Sequence, residues 1–146
     1  MQMKSGLMLG VLVGLLGGCA GGAEDADVLT IRLKATQQNA GSIGQASLVG
    51  RGDVTGISYV ISGVPDGASR PLRLYNFIYP GSCAELGAEP AYSMNDTTQT
   101  TLTSTGWMMS REVPVSLDTL RAGSHALVVR TSPADLSVDI FCGDIH

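Results

Sequence analysis

Val28-Leu29-Thr30-Ile31-Arg32-Leu33-Lys34-Ala35 alternates without a break. Leu29, Ile31 and Leu33 fall on one face and Thr30, Arg32 and Lys34 on the other, the two-residue period of a half-buried strand. The same period returns in Val54 to Ser62, through Ile57, Tyr59 and Ile61, and Pro65-Asp66-Gly67 closes that run with turn residues. It returns again at Val113, Val115 and Leu117, where Pro114 is tolerable only at an edge or a bulge. Gly41 to Val49 reads as a weaker strand and Leu72 to Tyr79 as the most apolar one. Short strands are expected around Tyr92, Thr100 to Leu102 and Trp107 to Met109, and Ala126 to Arg130 and Leu136 to Cys142 complete the set. Only Asp118-Thr119-Leu120-Arg121 suggests a helical turn. About eight short strands separated by regular turns predict an all-β, antiparallel sandwich or barrel.

The chain has 146 residues, enough for one ordinary domain, and is 44% hydrophobic and 15% charged. A disordered chain would carry more charge and fewer aliphatic residues. The net charge of −4 argues against a nucleic-acid partner, which calls for a basic stripe. Two histidines cannot build a multi-histidine metal centre by themselves. No GxSxG elbow, P-loop or HExxH motif occurs, and the chain reads as a non-enzyme with no cofactor and no metal.

Met1 to Gly18 reads as an export signal: Lys4 opens it, and Leu7 to Leu16 is apolar but too short to span a bilayer. It runs into Leu16-Gly17-Gly18-Cys19-Ala20, which resembles the bacterial lipobox. That resemblance implies cleavage before Cys19, lipidation of that cysteine as the first residue of the mature chain, and attachment to a membrane through the lipid. Residues 19–27 are small and acidic and read as a flexible tether, leaving 28–146 as the domain. Ala20 follows the cysteine where an aspartate would resemble an inner-membrane retention signal, so the outer membrane is expected if the host is Gram-negative.

With Cys19 acylated, Cys83 and Cys142 are the remaining thiols of an exported chain, and one disulfide is the economical reading. Gly81-Ser82-Cys83-Ala84, Leu127-Val128-Val129-Arg130 and Phe141-Cys142-Gly143-Asp144-Ile145 resemble segments of the copper/zinc superoxide dismutase family. The resemblance implies an eight-stranded Greek-key sandwich with a disulfide from the loop after the fourth strand to a Cys-Gly pair on the last strand. Cys83 and Cys142-Gly143 match both partners. The metal ligands do not carry over. Where the family has histidines on the strand before the disulfide loop, this chain has Arg73-Leu74-Tyr75 or Phe77-Ile78-Tyr79, and Arg130 ends the Val-Val strand where another histidine belongs. By alternation His125 faces away from Arg130, and His146 ends the chain.

One strand carries residue types enriched in binding hot spots: Arg73, Tyr75, Phe77 and Tyr79 share a face, and Arg130 is expected beside them. Leu72, Leu74 and Ile78 share the other face with Asn76, whose polarity leaves open which face is core. These residues suggest an anion-accepting, partly aromatic surface, against the rival reading that Arg130 pairs with Asp135 or Asp139 under a loop. The function expected is an envelope lipoprotein that binds or inhibits an envelope or periplasmic protein. The alternatives are a copper or redox accessory protein, using thioethers of Met94, Met108 or Met109, or a purely structural lipoprotein.

Overall fold

A computed structural model describes residues 26–146. The export signal, Cys19 and all but the last two tether residues lie outside the described residues. The elements are β1 (Val28–Ala35), β2 (Ile43–Arg51), β3 (Val54–Ile61), β4 (Leu74–Ser82), β5 (Glu85–Leu86), β6 (Tyr92–Ser93), β7 (Thr101–Thr103), β8 (Gly106–Val113), α1 (Leu117–Ala122), β9 (His125–Thr131) and β10 (Asp139–Ile145). Every ladder is antiparallel, as the alternation predicts.

The strand order is β5-β4-β9-β10-β1-β2-β3-β8-β7, with β6 against β4. The sheet bends into two layers at the β1–β10 seam, where only Lys34↔Cys142 and Ala35↔Phe141 pair. On the far side the chain just before β7 returns to β4: Leu74 donates its N–H to the Thr98 carbonyl at 3.0 Å, and Arg73 bridges Gln99. The result is a β-sandwich that nearly closes on itself, which leaves little free edge. Between the layers lie Ile31, Leu33, Leu48, Ile57, Tyr59, Leu74, Ile78, Leu127, Val129 and Phe141, all buried. The core cluster, the ladders and the disulfide all fall within residues 28–145, so the described span carries its own core.

Three expectations about strands need correcting. Trp107 to Met109 and Val113 belong to one strand, β8, and the exposed Pro114 follows its last residue instead of interrupting it. Gly106 starts that strand at φ 128°, where a Cβ would strike the Ile61 carbonyl. The most apolar strand runs from Leu74 to Ser82 rather than from Leu72 to Tyr79. The last strand begins at Asp139, not Leu136, because Leu136 and Ser137 take left-handed φ values of 70° and 50° and turn the chain after a 3-10 turn at Pro133–Asp135. Helix α1 covers the expected helical turn, capped by the Ser116 hydroxyl accepting from Thr119 N–H.

Cys83 and Cys142 form the expected disulfide, with Cα atoms 5.8 Å apart. Its position explains a feature of the second layer. Cys142 lies opposite Val128, and Val128 opposite Phe77, so the three share the outer face across β10, β9 and β4. Cys83, just past the end of β4, therefore reaches over β9 to bond β10, and its N–H donates to the Asp144 carboxylate at 2.7 Å. The strap covers the outer side of β9: Ala126 and Val128 are both 0% exposed.

Candidate functional site

The residues singled out in the sequence sit on that outer face of β4 and β9. Tyr75 lies opposite Arg130, Phe77 opposite Val128 and Tyr79 opposite Ala126. Alternation puts Leu74, Asn76 and Ile78 in the core, all at 0% exposure, which settles the question Asn76 raised.

Arg130 is brought together with Phe77 and Tyr79. Its guanidinium carbon lies 4.4 Å from the Phe77 ring centre and 5.7 Å from that of Tyr79, cation–π distances. Its Nε donates to Asp139 Oδ1 at 2.6 Å and its Nη2 to the Tyr79 hydroxyl at 2.8 Å. Burial works against the charge, but the hydrogen bonds to Asp139 and Tyr79 hold the Arg130 pKa above its ordinary value. The two aromatic rings are tilted by 56° with centroids 6.1 Å apart.

Two expectations about this surface change. Arg130 has a carboxylate partner, Asp139, so the cluster is charge-neutral rather than open to any anion. Asp135, the other carboxylate of the rival reading, accepts from Ser69 instead. Arg73 does not join Arg130: it is exposed at the far end of the strand, and its Nη1 donates to Thr98 Oγ1 at 3.3 Å. Tyr75 and Phe77 are half-buried and Tyr79 is buried, so the face offers an aromatic rim beside the strap. Nη1 of Arg130 has no partner among the described residues and remains a free pair of donors.

The candidate thioethers do not converge. Met94 and Met109 are in the core, and Met109 Sδ accepts from Asn76 and Arg111, whereas Met108 is exposed on the opposite side of its strand. Among the described residues no three His, Cys, Asp or Glu side chains are grouped as a metal site would need. His125 contacts the Leu120 carbonyl through Nδ1 at 3.0 Å, beside α1.

Sequence reasoning missed a polar cluster inside the sandwich. Arg111, 6% exposed, projects between the layers, and its Nη2 donates to the carbonyls of Leu74 and Gln99 at 3.2 and 3.3 Å. Desolvation lowers its pKa, and desolvation raises that of the fully buried Tyr59. Among the described residues the Tyr59 hydroxyl, Asn76 Oδ1 and Arg111 Nε have no hydrogen-bond partner. The signal was available: Met109, Arg111 and Val113 share one alternation once residues 106–113 are read as a single strand. With this geometry established, comparisons with known proteins found no match among family models, curated proteins or solved structures.

Proposed function

We propose that the chain is a non-catalytic envelope lipoprotein, lipid-anchored at Cys19, that presents a metal-free, superoxide dismutase-like Greek-key sandwich to another protein. The fold part of this reading is supported by the long disulfide-bonded loop after β4 and by the order β4-β9-β10-β1-β2-β3-β8, in which the last two long strands lie between β4 and β1. The observation that carries the functional part is the neighbourhood of Arg130. Where the resemblance would put copper-binding imidazoles stands a guanidinium stacked on Phe77 and tied to Asp139 and Tyr79. Copper binding there would call for imidazole, thiolate or thioether lone pairs, which a protonated guanidinium lacks, and this cluster presents an ion-paired arginine and an aromatic rim instead. An aromatic rim beside an arginine is the composition of a protein-binding hot spot.

The test places a photo-crosslinking residue at Tyr75, on that rim, in the full chain produced in its own envelope. A discrete adduct to one protein that is lost in the Tyr79→Ala variant supports the reading. Adducts to lipid alone, or no adduct, overturn the protein-binding role. A Cys19→Ser chain that still fractionates with membranes overturns the anchor independently.

A further inference from the structure

The other layer has an outer face that none of the described residues covers. On it Lys34 lies opposite Ile43, Arg32 opposite Gln45, Gln45 opposite Val60, and Val60 opposite Met108, so these side chains stand side by side across β1, β2, β3 and β8. Ile43 is 74% exposed, Met108 41% and Val60 37%; Val60 stands diagonal to Ile43 and directly opposite Met108, so the three mark an aliphatic path on a solvent face. A groove of about 950 Å³ runs here, lined by Arg32, Lys34, Ile43, Gln45, Val60 and Ser62 among others, and no carboxylate lines it.

The charges point the same way. Among the described residues Arg51, Arg121 and Arg130 are in ion pairs. Arg111 is buried on carbonyls, Arg70 lies over Trp107, and Arg73 donates to Thr98. Of the cations among the described residues, Arg32 and Lys34 are the two with no side-chain partner there. They are two residues apart on one strand face, roughly 7 Å, a spacing that brackets one carboxylate. In a chain of net charge −4, these two cations at the mouth of the groove make no ion pair or side-chain hydrogen bond among the described residues and are open to a ligand.

We propose that this groove binds a free single-chain fatty carboxylate. The carboxylate sits between Arg32 and Lys34, and the alkyl chain lies across β2 and β3 along Ile43 and Val60 towards Met108. Three inter-strand steps separate Arg32 from Met108, about 14 Å, the reach of a medium-length alkyl chain. A small amphiphile fits better than a protein surface. The groove is within the roughly 300–1,000 Å³ of small-molecule sites, and three aliphatic side chains fall well short of the roughly 800 Å² a protein partner covers on each side. The inference is independent of the Arg130 rim, which lies on the other layer.

The experiment titrates isotope-labelled residues 26–146 with dodecanoate below its micelle concentration and follows the amide NMR spectrum. Expected are saturable shifts centred on Lys34, Ile43 and Val60, at least tenfold weaker binding for Arg32→Gln/Lys34→Gln and for Ile43→Ser, and unchanged melting temperatures, since all three positions are exposed. Dodecanol, lacking the charge, should bind at least tenfold more weakly to the unsubstituted protein. The proposal is overturned if shifts are unsaturable or spread over the surface, or if the double variant binds equally well. It is also overturned if an extended peptide of alternating Glu and Leu shifts the same amides while dodecanoate does not, which would make the groove a protein-docking strip.

Discussion

Strands β1 and β9 are built on one plan and end up in opposite circumstances. β9 lies between β4 and β10 and β1 borders the seam beside β2, yet each sends alternate side chains into the common core, Ile31 and Leu33 from one, Leu127 and Val129 from the other. The outward side chains of β1 (Thr30, Arg32 and Lys34) are all exposed, whereas those of β9 (Ala126 and Val128) are wholly buried and Arg130 is mostly so. The cause lies outside both strands. One disulfide pulls the chain after β4 across β9, so an outward face becomes a second, smaller interior. Among the described residues no comparable strap crosses β1. An outward position therefore means solvent on one layer and packing on the other, and function has to be sought differently on each.

Removing the strap should produce the largest effect. A Cys83→Ser/Cys142→Ser protein is expected to lose about 4 kcal/mol of stability on the loop-entropy estimate for a separation of 59 residues. Denaturant melts measure the loss. Amide exchange localises it: protection should fall first at Ala126 and Val128 and persist through β1 to β3. Uniform loss of protection would mean that the two faces do not differ in the way described.

The asymmetry also determines how much of the fold was legible in the sequence. β1 could be read at once because its two faces carry different chemistry. Ala126-Leu127-Val128-Val129 is apolar on both faces, which marks a doubly buried strand without saying what covers the second face. The disulfide was legible from the number of thiols, but its consequence for β9 required the cross-strand register Cys142–Val128–Phe77. In the candidate site the shared face of Tyr75, Phe77 and Tyr79 was legible by alternation. That Arg130 could pair with Asp135 or Asp139 was also legible, but the choice of Asp139 was not, because an irregularity between Asp139 and Phe141 shifts the register of β10 and breaks simple counting. The groove on β1–β3 was invisible because Ile43 and Val60, on different strands, become neighbours only after pairing.

Two matched substitutions put the faces in direct opposition. Val128→Ala removes methyl groups from under the strap and should cost about 2 kcal/mol from lost burial and the cavity left behind. Val60→Ala, at the same kind of outward position on the open layer, should change stability by less than about 0.5 kcal/mol. Equal costs in thermal melts would contradict the difference in burial. Arg130→Ala and Arg32→Ala repeat the test for charge. The first breaks the Asp139 contact and the stack on Phe77 and, allowing for partial exposure, should cost about 1 kcal/mol. The second should be neutral.

The smallest effect concerns the connection that crosses between the layers. The connection from β3 to β4 carries the chain from the open layer to the covered one, and Ser69 within it is fastened to Asp135 in the β9–β10 turn. The Ser69 hydroxyl donates to Oδ1 of Asp135 at 2.6 Å, and the Ser69 backbone N–H donates to both carboxylate oxygens at 3.0 Å. These bonds, the hydroxyl first and the backbone second, hold the Asp135 carboxyl below its ordinary pKa. A carboxylate whose pKa is depressed by folding stabilises the fold fully above its unfolded value of about 3.9, and that contribution fades as the pH falls through the lower folded value. Asp135→Asn should therefore be less stable than the unsubstituted protein at neutral pH, and the gap should close below the unfolded value. Because the site is at the surface the gap will be slight, and its pH dependence is the diagnostic. A gap constant from pH 7 to pH 2 would show that the side chain acts through shape alone, leaving the layers joined by packing and the disulfide without this ionic latch.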